Sequence, residues 1–543
     1  MDFTFDPVNF PLAEIQKFTD FLKQNKQRFV LIIDPAIKIL PGYEAHDLGL
    51  LKDVFIKNTQ GKYVVGKVWP DLTYFPDFFN PRSNEYWATL IQRFVNDTRI
   101  DGLWLDMNEV SNFCHGDCTQ PPNLNSLNFP PYKINNGLDE SPLYFKTIPM
   151  DSVYHGNILE YNAHNLYGLA ETISTHKAFL SVQNKRPFFL SRSTFPGSGQ
   201  YTGHWTGDNI STWDQMYLSI PQMLNFQIFG IPMVGADICG FVDNSNMELC
   251  ARWMALGSFY PFSRNHNAIH MNPQEPYIWP EVAKISKKFL YLRNSLISYW
   301  YTLFYHAHTS GCPVLHSIPF LFPQIEETYY LDKQFFVGEG LLVSPVLEEK
   351  ARSVRAYFPP GIWYDFFTNE VIKVSNGHWI HLQAELDHVP LHIRGGNIIP
   401  IQKPLYSVTD TVMQNFSAII ALDEGLAAKG NLFIDDGESF LSNNYSSIEL
   451  KASFHPNSYL IHISGSFNFT STNFIQEFKV LGWNHVPKKI LVDGIEQITA
   501  KFSSISHLNF PVGFSVESIN VSLNRESRIE FLYDDHGSLN LMK

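Results

Sequence analysis

Asp101-Gly-Leu-Trp-Leu-Asp106-Met-Asn-Glu-Val-Ser-Asn-Phe113 is the stretch that decides the reading of this chain. Its apolar run, Leu103-Trp104-Leu105, stops abruptly on a carboxylate. A short continuous apolar run of this kind predicts a strand covered on both faces, as in a parallel sheet. The terminal carboxylate cannot belong to the core, because burying an unpaired charge costs several kcal/mol. Asp106 is therefore placed at the strand's exit, where α/β folds carry their chemistry.

Working outward, the pattern recurs. Arg28-Phe-Val-Leu-Ile-Ile33 ends on Asp34, and Pro187-Phe-Phe-Leu190 ends on Ser191-Arg192. Gly203-His-Trp-Thr-Gly207 ends on Asp208, and Ile231-Pro-Met-Val-Gly-Ala236 ends on Asp237. Phe259-Tyr-Pro-Phe262 runs out to Arg264-Asn-His266. Six apolar runs in order, each ending in groups that titrate or hydrogen-bond, predict the catalytic face of a (β/α) barrel.

The segments between these runs fit that alternation. Leu12, Ile15, Phe18 and Leu22 share a helical face ahead of the first run. Further helices are expected at about 84–96 (capped by Ser83 or Asn84), 158–182, 213–229, 247–257 and 278–308. Residues 35–82 read as a long loop, and 112–157, rich in Pro, Asn and Gly, as an irregular insertion. After about residue 315, short alternating segments separated by Gly/Pro turns predict antiparallel sheet. The expected division is a catalytic (β/α) barrel over 1–315, a proximal β-sandwich over 316–402 and a distal one over 403–543.

At 543 residues the chain is too long for one core. Its 15% aromatic content suits both large β-domains and a sugar-binding enzyme, whose rings stack on pyranose faces. A net charge of −13 with no basic stripe argues against nucleic acid as a partner. The five cysteines lack His or Cys company at metal spacing, so no zinc, and no other metal or cofactor, is expected. Sequons at Asn96, Asn209, Asn415, Asn444, Asn468 and Asn520 lend modest support to a secretory route. No apolar run is long enough to span a bilayer, and no signal peptide is visible; Arg293 interrupts the longest aromatic helix.

Trp104-Leu-Asp-Met-Asn-Glu109 is similar to the nucleophile signature of glycoside hydrolase family 31, the retaining α-glucosidases. Ser191-Arg-Ser-Thr-Phe-Pro-Gly-Ser-Gly-Gln-Tyr-Thr-Gly-His-Trp-Thr-Gly-Asp-Asn209 resembles that family's acid/base block. Gly235-Ala-Asp-Ile-Cys-Gly-Phe241 and Phe262-Ser-Arg-Asn-His-Asn267 follow in family order. So do Phe358-Pro-Pro-Gly-Ile-Trp-Tyr-Asp-Phe366 and Asp387-His-Val-Pro-Leu-His-Ile-Arg-Gly-Gly396. The Trp before Asp106 and the Cys in Ala236-Asp-Ile-Cys239 resemble the maltase-like branch more than the glucosidase II branch.

The resemblance implies Asp106 as nucleophile and Asp208 as general acid/base, a choice the bare sequence leaves open among Asp34, Asp106, Asp208 and Asp237. Double displacement needs one ionised carboxylate to attack the anomeric carbon and one carboxylic acid to protonate the leaving oxygen, about 5–5.5 Å apart. By the same match Arg192 and His266 hydrogen-bond the hydroxyls of the cleaved sugar. Trp69, Trp104, Met107, Phe113, Trp205 and Phe241 line its pocket, with Ile32 and Asp237 in support. For each aromatic the plainer alternative is packing alone. Cys239 and Cys250 match a family disulfide, consistent with an oxidising compartment.

The expected activity is exo-hydrolysis of terminal α-1,4-linked glucose from maltose-like oligosaccharides, with α-1,6 linkages as a second candidate. The expected partners are α-glucosidic oligosaccharides, and the expected location is the secretory pathway: extracellular, cell surface or lysosomal. The alternatives are an inactive fragment, a carbohydrate-binding protein of the same fold, or a sister activity such as α-xylosidase. The match to the family begins late, as though an N-terminal β-sandwich and two barrel strands, with any membrane anchor, preceded Met1. Val110 stands where the family usually has Pro, and Ile269 where some relatives have Gln. Pro149 replaces a Cys, which leaves Cys118 to pair with Cys114 or remain free.

Overall fold

A computed structural model describes residues 1–132, 142–440, 443–455, 458–483, 485–508 and 510–533. The chain forms two compact units. The first comprises 1–205, 229–233 and 438–440, and the second 206–228, 234–437 and 441–543.

The first unit opens α-then-β, with α1 (Leu12–Gln24) followed by β1 (Val30–Ile33). Phe18 stays nearly half exposed and meets Phe29 edge-on. The expected loop over 35–82 is instead structured: β2 (Ile37–Lys38), α2 (Glu44–Lys52), β3 (Gly66–Val68) and β4 (Asp71–Tyr74), with the three strands forming an antiparallel sheet. α2 buries Ala45, His46 and Gly49, so no apolar stripe announces it. A Cβ on Gly49 would come within 2.3 Å of the Phe55 ring, which packs where a side chain would otherwise stand.

Helix α3 (Pro81–Thr98) starts earlier than expected, because Asn80 accepts from the Arg82 N–H and Pro81 occupies the first turn. β5 (Gly102–Leu105) follows, then a short α4 (Glu160–Ala163), α5 (Tyr167–Leu180), β6 (Phe188–Ser191) and β7 (Gly203–Trp205). The helix expected over 158–182 is thus broken near His164. β1, β5, β6 and β7 pair in that order, all parallel, in the register Ile33–Leu105–Ser191–His204. Trp87 is fully buried in the core that also holds Leu103 and Leu105, with its indole N–H on Thr175 and its ring meeting Phe3 and Phe78 edge-on.

The second unit continues with α6 (Trp213–Ile228), β8 (Val234–Gly235), β9 (Asp237–Ile238), α7 (Met247–Gly257) and β10 (Arg264–Asn265). Residues 259–262 form a turn rather than the expected strand, and the pairing with β9 falls two residues later, on β10. The helix expected over 278–308 is two helices, α8 (Pro280–Ser295) and α9 (Ile297–Ser310), divided at Leu296. Arg293 sits in this aromatic segment because its guanidinium takes the carbonyls of Ser258, Tyr260 and Pro261 just after α7.

Beyond residue 314 antiparallel sheet dominates, as the alternation predicts. Leu315–His316, Phe335–Val337, Leu341–Val343, Leu391–Arg394, Gly361–Asp365 and Val371–Val374 pair in that order. A larger sheet runs from Asn397–Gln402 to Ser527–Leu532, where Tyr459, Phe478, Phe514 and Phe531 fill one core. Arg252 of α7 is buried and donates to the carbonyls of Glu385, His388, Ala351 and Ala384. Burial, then the charge of Arg352, pushes its pKa down to about 10, so it remains a cation. Arg252→Met strands those carbonyls and is expected to cost about 3 kcal/mol, read as a lowered denaturant midpoint at unchanged slope.

Candidate active site

In the first unit the ends of three neighbouring strands carry the polar groups. The Asp106 N–H donates to the Ile33 carbonyl at 3.1 Å, and the Arg192 N–H to the Leu105 carbonyl at 3.1 Å. Each bond continues the sheet ladder one residue past its strand, so the backbones of Asp106 and Arg192 are fixed by the core. Arg192 Nη1 lies 3.1 Å from Asp106 Oδ1. Its Nε and Nη2 hold the two Glu109 oxygens at 2.8 and 3.0 Å, and Nη2 also meets Met107 Sδ at 3.0 Å. An adjacent cation favours the ionised form of a carboxylate, which is what a nucleophile requires. Glu109 had no role in the sequence reading. The signal was the fork of Arg192, whose geometry accommodates a bidentate carboxylate.

The loop after β5 is tied down in detail. Asn108 donates to Ser191 Oγ at 2.8 Å and accepts from the Ser193 N–H at 2.8 Å. Asn112 accepts from the Lys67 and Cys114 N–H groups. The backbone N–H of Phe113 donates to the Lys67 carbonyl, and its ring meets Trp69 edge-on at 5.0 Å. Trp69 is 73% exposed and Phe113 37%, so this pair offers aromatic surface to solvent. Trp104 meets Trp205 at 5.3 Å and 87°. Trp205 is only 1% exposed and backs Trp104, and Met107 is buried as well. Ile32, half exposed, is the register partner of Trp104. Val110 has φ 62°, a value that proline's ring forbids, so this backbone could not carry the family's usual residue.

In the second unit Asp208 is exposed, between Gly207 (φ 79°) and buried Asn209. The Asn209 side chain donates to the Asp237 carbonyl at 3.0 Å and accepts from the Phe241 N–H at 3.0 Å. Asn209 is therefore buried, whereas a glycan acceptor must be exposed. Asp237 is fully buried and paired with Arg264, Oδ1 to Nη2 at 2.7 Å. Phe241 and His266 stack at 5.2 Å and 26°. Burial, then the charge of Arg264, pushes the His266 pKa down to about 4. A neutral imidazole keeps both a donor and an acceptor for a sugar hydroxyl. Asp106 and Arg192 are thus brought together in one unit, and Asp237, Phe241 and His266 cluster in the other, which also carries Asp208.

The model described as the glycosyl hydrolases family 31 TIM-barrel domain matches residues 1–303, and the family's C-terminal domain matches 311–399. The chain belongs to glycoside hydrolase family 31.

Family 31 relatives include an alpha-glucosidase of Hordeum vulgare, 45% identical over 81% of this chain and 50% of its own length. The lysosomal alpha-glucosidase of Bos taurus is 42% identical over 81% of this chain and 48% of its own. Alpha-xylosidase 1 of Arabidopsis thaliana is 42% identical over 80% and 50%. A crystal structure of glucosidase II alpha subunit, Glc1Man2-bound, superposes with a TM-score of 0.86 at 28% identity, covering 98% of this chain and 57% of that one. The chain therefore spans about half the length of the curated relatives it matches.

Within this family 31 chain Cys239 and Cys250 form a disulfide, as expected, linking the end of β9 to α7. Cys118 pairs with Cys114, which settles the alternative left open by Pro149. Closing the loop between Cys239 and Cys250 restricts the unfolded chain by about 3 kcal/mol on the loop-entropy account. Converting both to alanine is expected to lower the thermal midpoint by several degrees, measured by calorimetry. Among the described residues no group of His, Cys, Asp and Glu is arranged to hold a metal, and no helix is long and apolar enough to cross a membrane.

Proposed function

We propose that this chain is the catalytic and C-terminal part of a retaining exo-α-glucosidase that removes terminal α-1,4-linked glucose from maltose-like oligosaccharides, with α-1,6 linkages as a secondary target. Asp106 attacks the anomeric carbon while Asp208 protonates the leaving oxygen; Asp208 then activates water, which hydrolyses the glucosyl ester. The observation that carries this reading is the clamp on Asp106, a carboxylate held at a strand exit by Arg192. Arg192 and His266 then bind the sugar's hydroxyls, with Trp104 and Phe241 on its faces. Ile32, Trp69, Met107, Phe113, Trp205 and Asp237 complete or support that pocket. The named activities of the barley and bovine relatives favour glucose as the cleaved unit. The two disulfides, with the bovine relative's lysosomal name, favour a secretory-pathway location. We read 1–315 as the barrel, 316–402 as the proximal β-sandwich and 403–543 as the distal one.

The test is turnover by the full-length protein of p-nitrophenyl α-D-glucoside, with the first-formed sugar followed by NMR. Release of α-glucose ahead of mutarotation supports the reading; first-formed β-glucose contradicts it. A second reading, α-xylosidase, is favoured by the Arabidopsis relative. The α-xyloside run in parallel separates the two. Binding of maltose without turnover of either substrate would instead mark a carbohydrate-binding protein.

A further inference from the structure

β1 and β5 are parallel neighbours in the register Ile33–Leu105, and the Asp106 N–H donates to the Ile33 carbonyl. Asp34 and Asp106 are therefore the next pair in that register, at the ends of adjacent strands, where neighbouring chains run about 4.8 Å apart. Asp34 is only 8% exposed, whereas a solvated carboxylate would face water. Arg192, the cation beside them, is already shared between Asp106 and Glu109. On the other side the Asp2 carboxylate accepts from the Asp34 N–H at 3.2 Å.

Resting on the glucosidase reading above, we propose that Asp34 is a positioning residue: it carries a proton in the working enzyme, and so leaves Arg192 bound to Asp106 and Glu109. An ionised Asp34 would repel the nucleophile's charge and compete for the guanidinium. The charges facing it agree. Burial raises its pKa most, then Asp2 and Asp106; Arg192 opposes, and the balance lies at about 7. Glu171, buried on α5 and also raised by burial, feels Asp34 as a like charge, so a second ionised acid here is disfavoured from that side too. The linkage sign follows. A carboxyl raised from 3.8 to about 7 favours the folded state fully below pH 3.8, and that contribution is lost as pH rises through 7.

The experiment compares the full-length protein with Asp34→Asn, which keeps the shape and removes the titration. The activity readout is kcat/KM on α-glucosyl fluoride, whose leaving group needs little help from the general acid. Wild type is expected to lose activity roughly tenfold per pH unit above its apparent pKa. Asp34→Asn is expected to stay within about threefold of wild type at acid pH and to lose that alkaline limb. An unchanged limb in Asp34→Asn overturns the proposal. Infrared difference spectra supply a readout independent of turnover. A protonated carboxylic C=O stretch that titrates near neutrality and is missing in Asp34→Asn supports the proposal, and its absence from the wild type overturns it. Failure of wild type to hydrolyse any α-glucoside instead counts against the glucosidase reading, and the spectra still decide the proton on Asp34.

Discussion

Asp106→Asn is expected to lower kcat/KM for maltose by about four orders of magnitude or more, the loss typical of removing a covalent nucleophile. The substitution keeps the side chain's shape and its place at the exit of β5, where the backbone bond to Ile33 is unaffected. What it removes is the charge held by Arg192, and with it the anionic oxygen that attacks the anomeric carbon; the neutral amide left in its place is a far weaker nucleophile. The fold should survive, because Asp106 lies outside the core built on Trp87, Leu103 and Leu105. Steady-state kinetics together with circular dichroism check both halves. Near-wild-type activity in a folded Asp106→Asn protein would remove this residue from the chemistry.

Asp208→Ala is expected to produce a different loss, one that depends on the leaving group. Maltose, with a poor leaving group, should slow by about three orders of magnitude or more, since both protonation and water activation are gone. α-Glucosyl fluoride should form its covalent intermediate at a rate close to wild type. Added azide should then restore turnover and yield α-glucosyl azide, because a small anionic nucleophile needs no base. The backbone that aims Asp208 is fixed by its buried neighbour Asn209, so the alanine change should leave that loop in place. Equal slowing on both substrates, without rescue, would assign Asp208 a structural part only.

How far the sequence revealed this follows from which signals are local. Strand ends such as Leu105-Asp106 and Ile33-Asp34 were readable, because an apolar run meeting a carboxylate is a contrast within a few residues. α2 was not, because its buried face is Ala45, His46 and Gly49, made possible by Phe55 filling the space. The strand expected at Phe259–Phe262 was misplaced, because aromatic residues in a turn pack into the core as readily as those in a strand. Arg293 reads in sequence only as a charge interrupting an aromatic helix; its charge is taken by carbonyls from a segment more than thirty residues earlier, which no window reveals. The choice of Asp106 and Asp208 came from motif resemblance. The clamp of Glu109 and Asp106 on Arg192, and the buried neighbour Asp34, needed the strand register.

The central claim is that the carboxylate of Asp106 forms a bond to the sugar. Incubating the full-length protein with 5-fluoro-α-D-glucosyl fluoride should build up the slow-turning ester, and peptide mass spectrometry should find the added fluoroglucosyl mass on the peptide containing Asp106. The same mass on a peptide carrying Asp34, Asp208 or Asp237 instead would contradict the account.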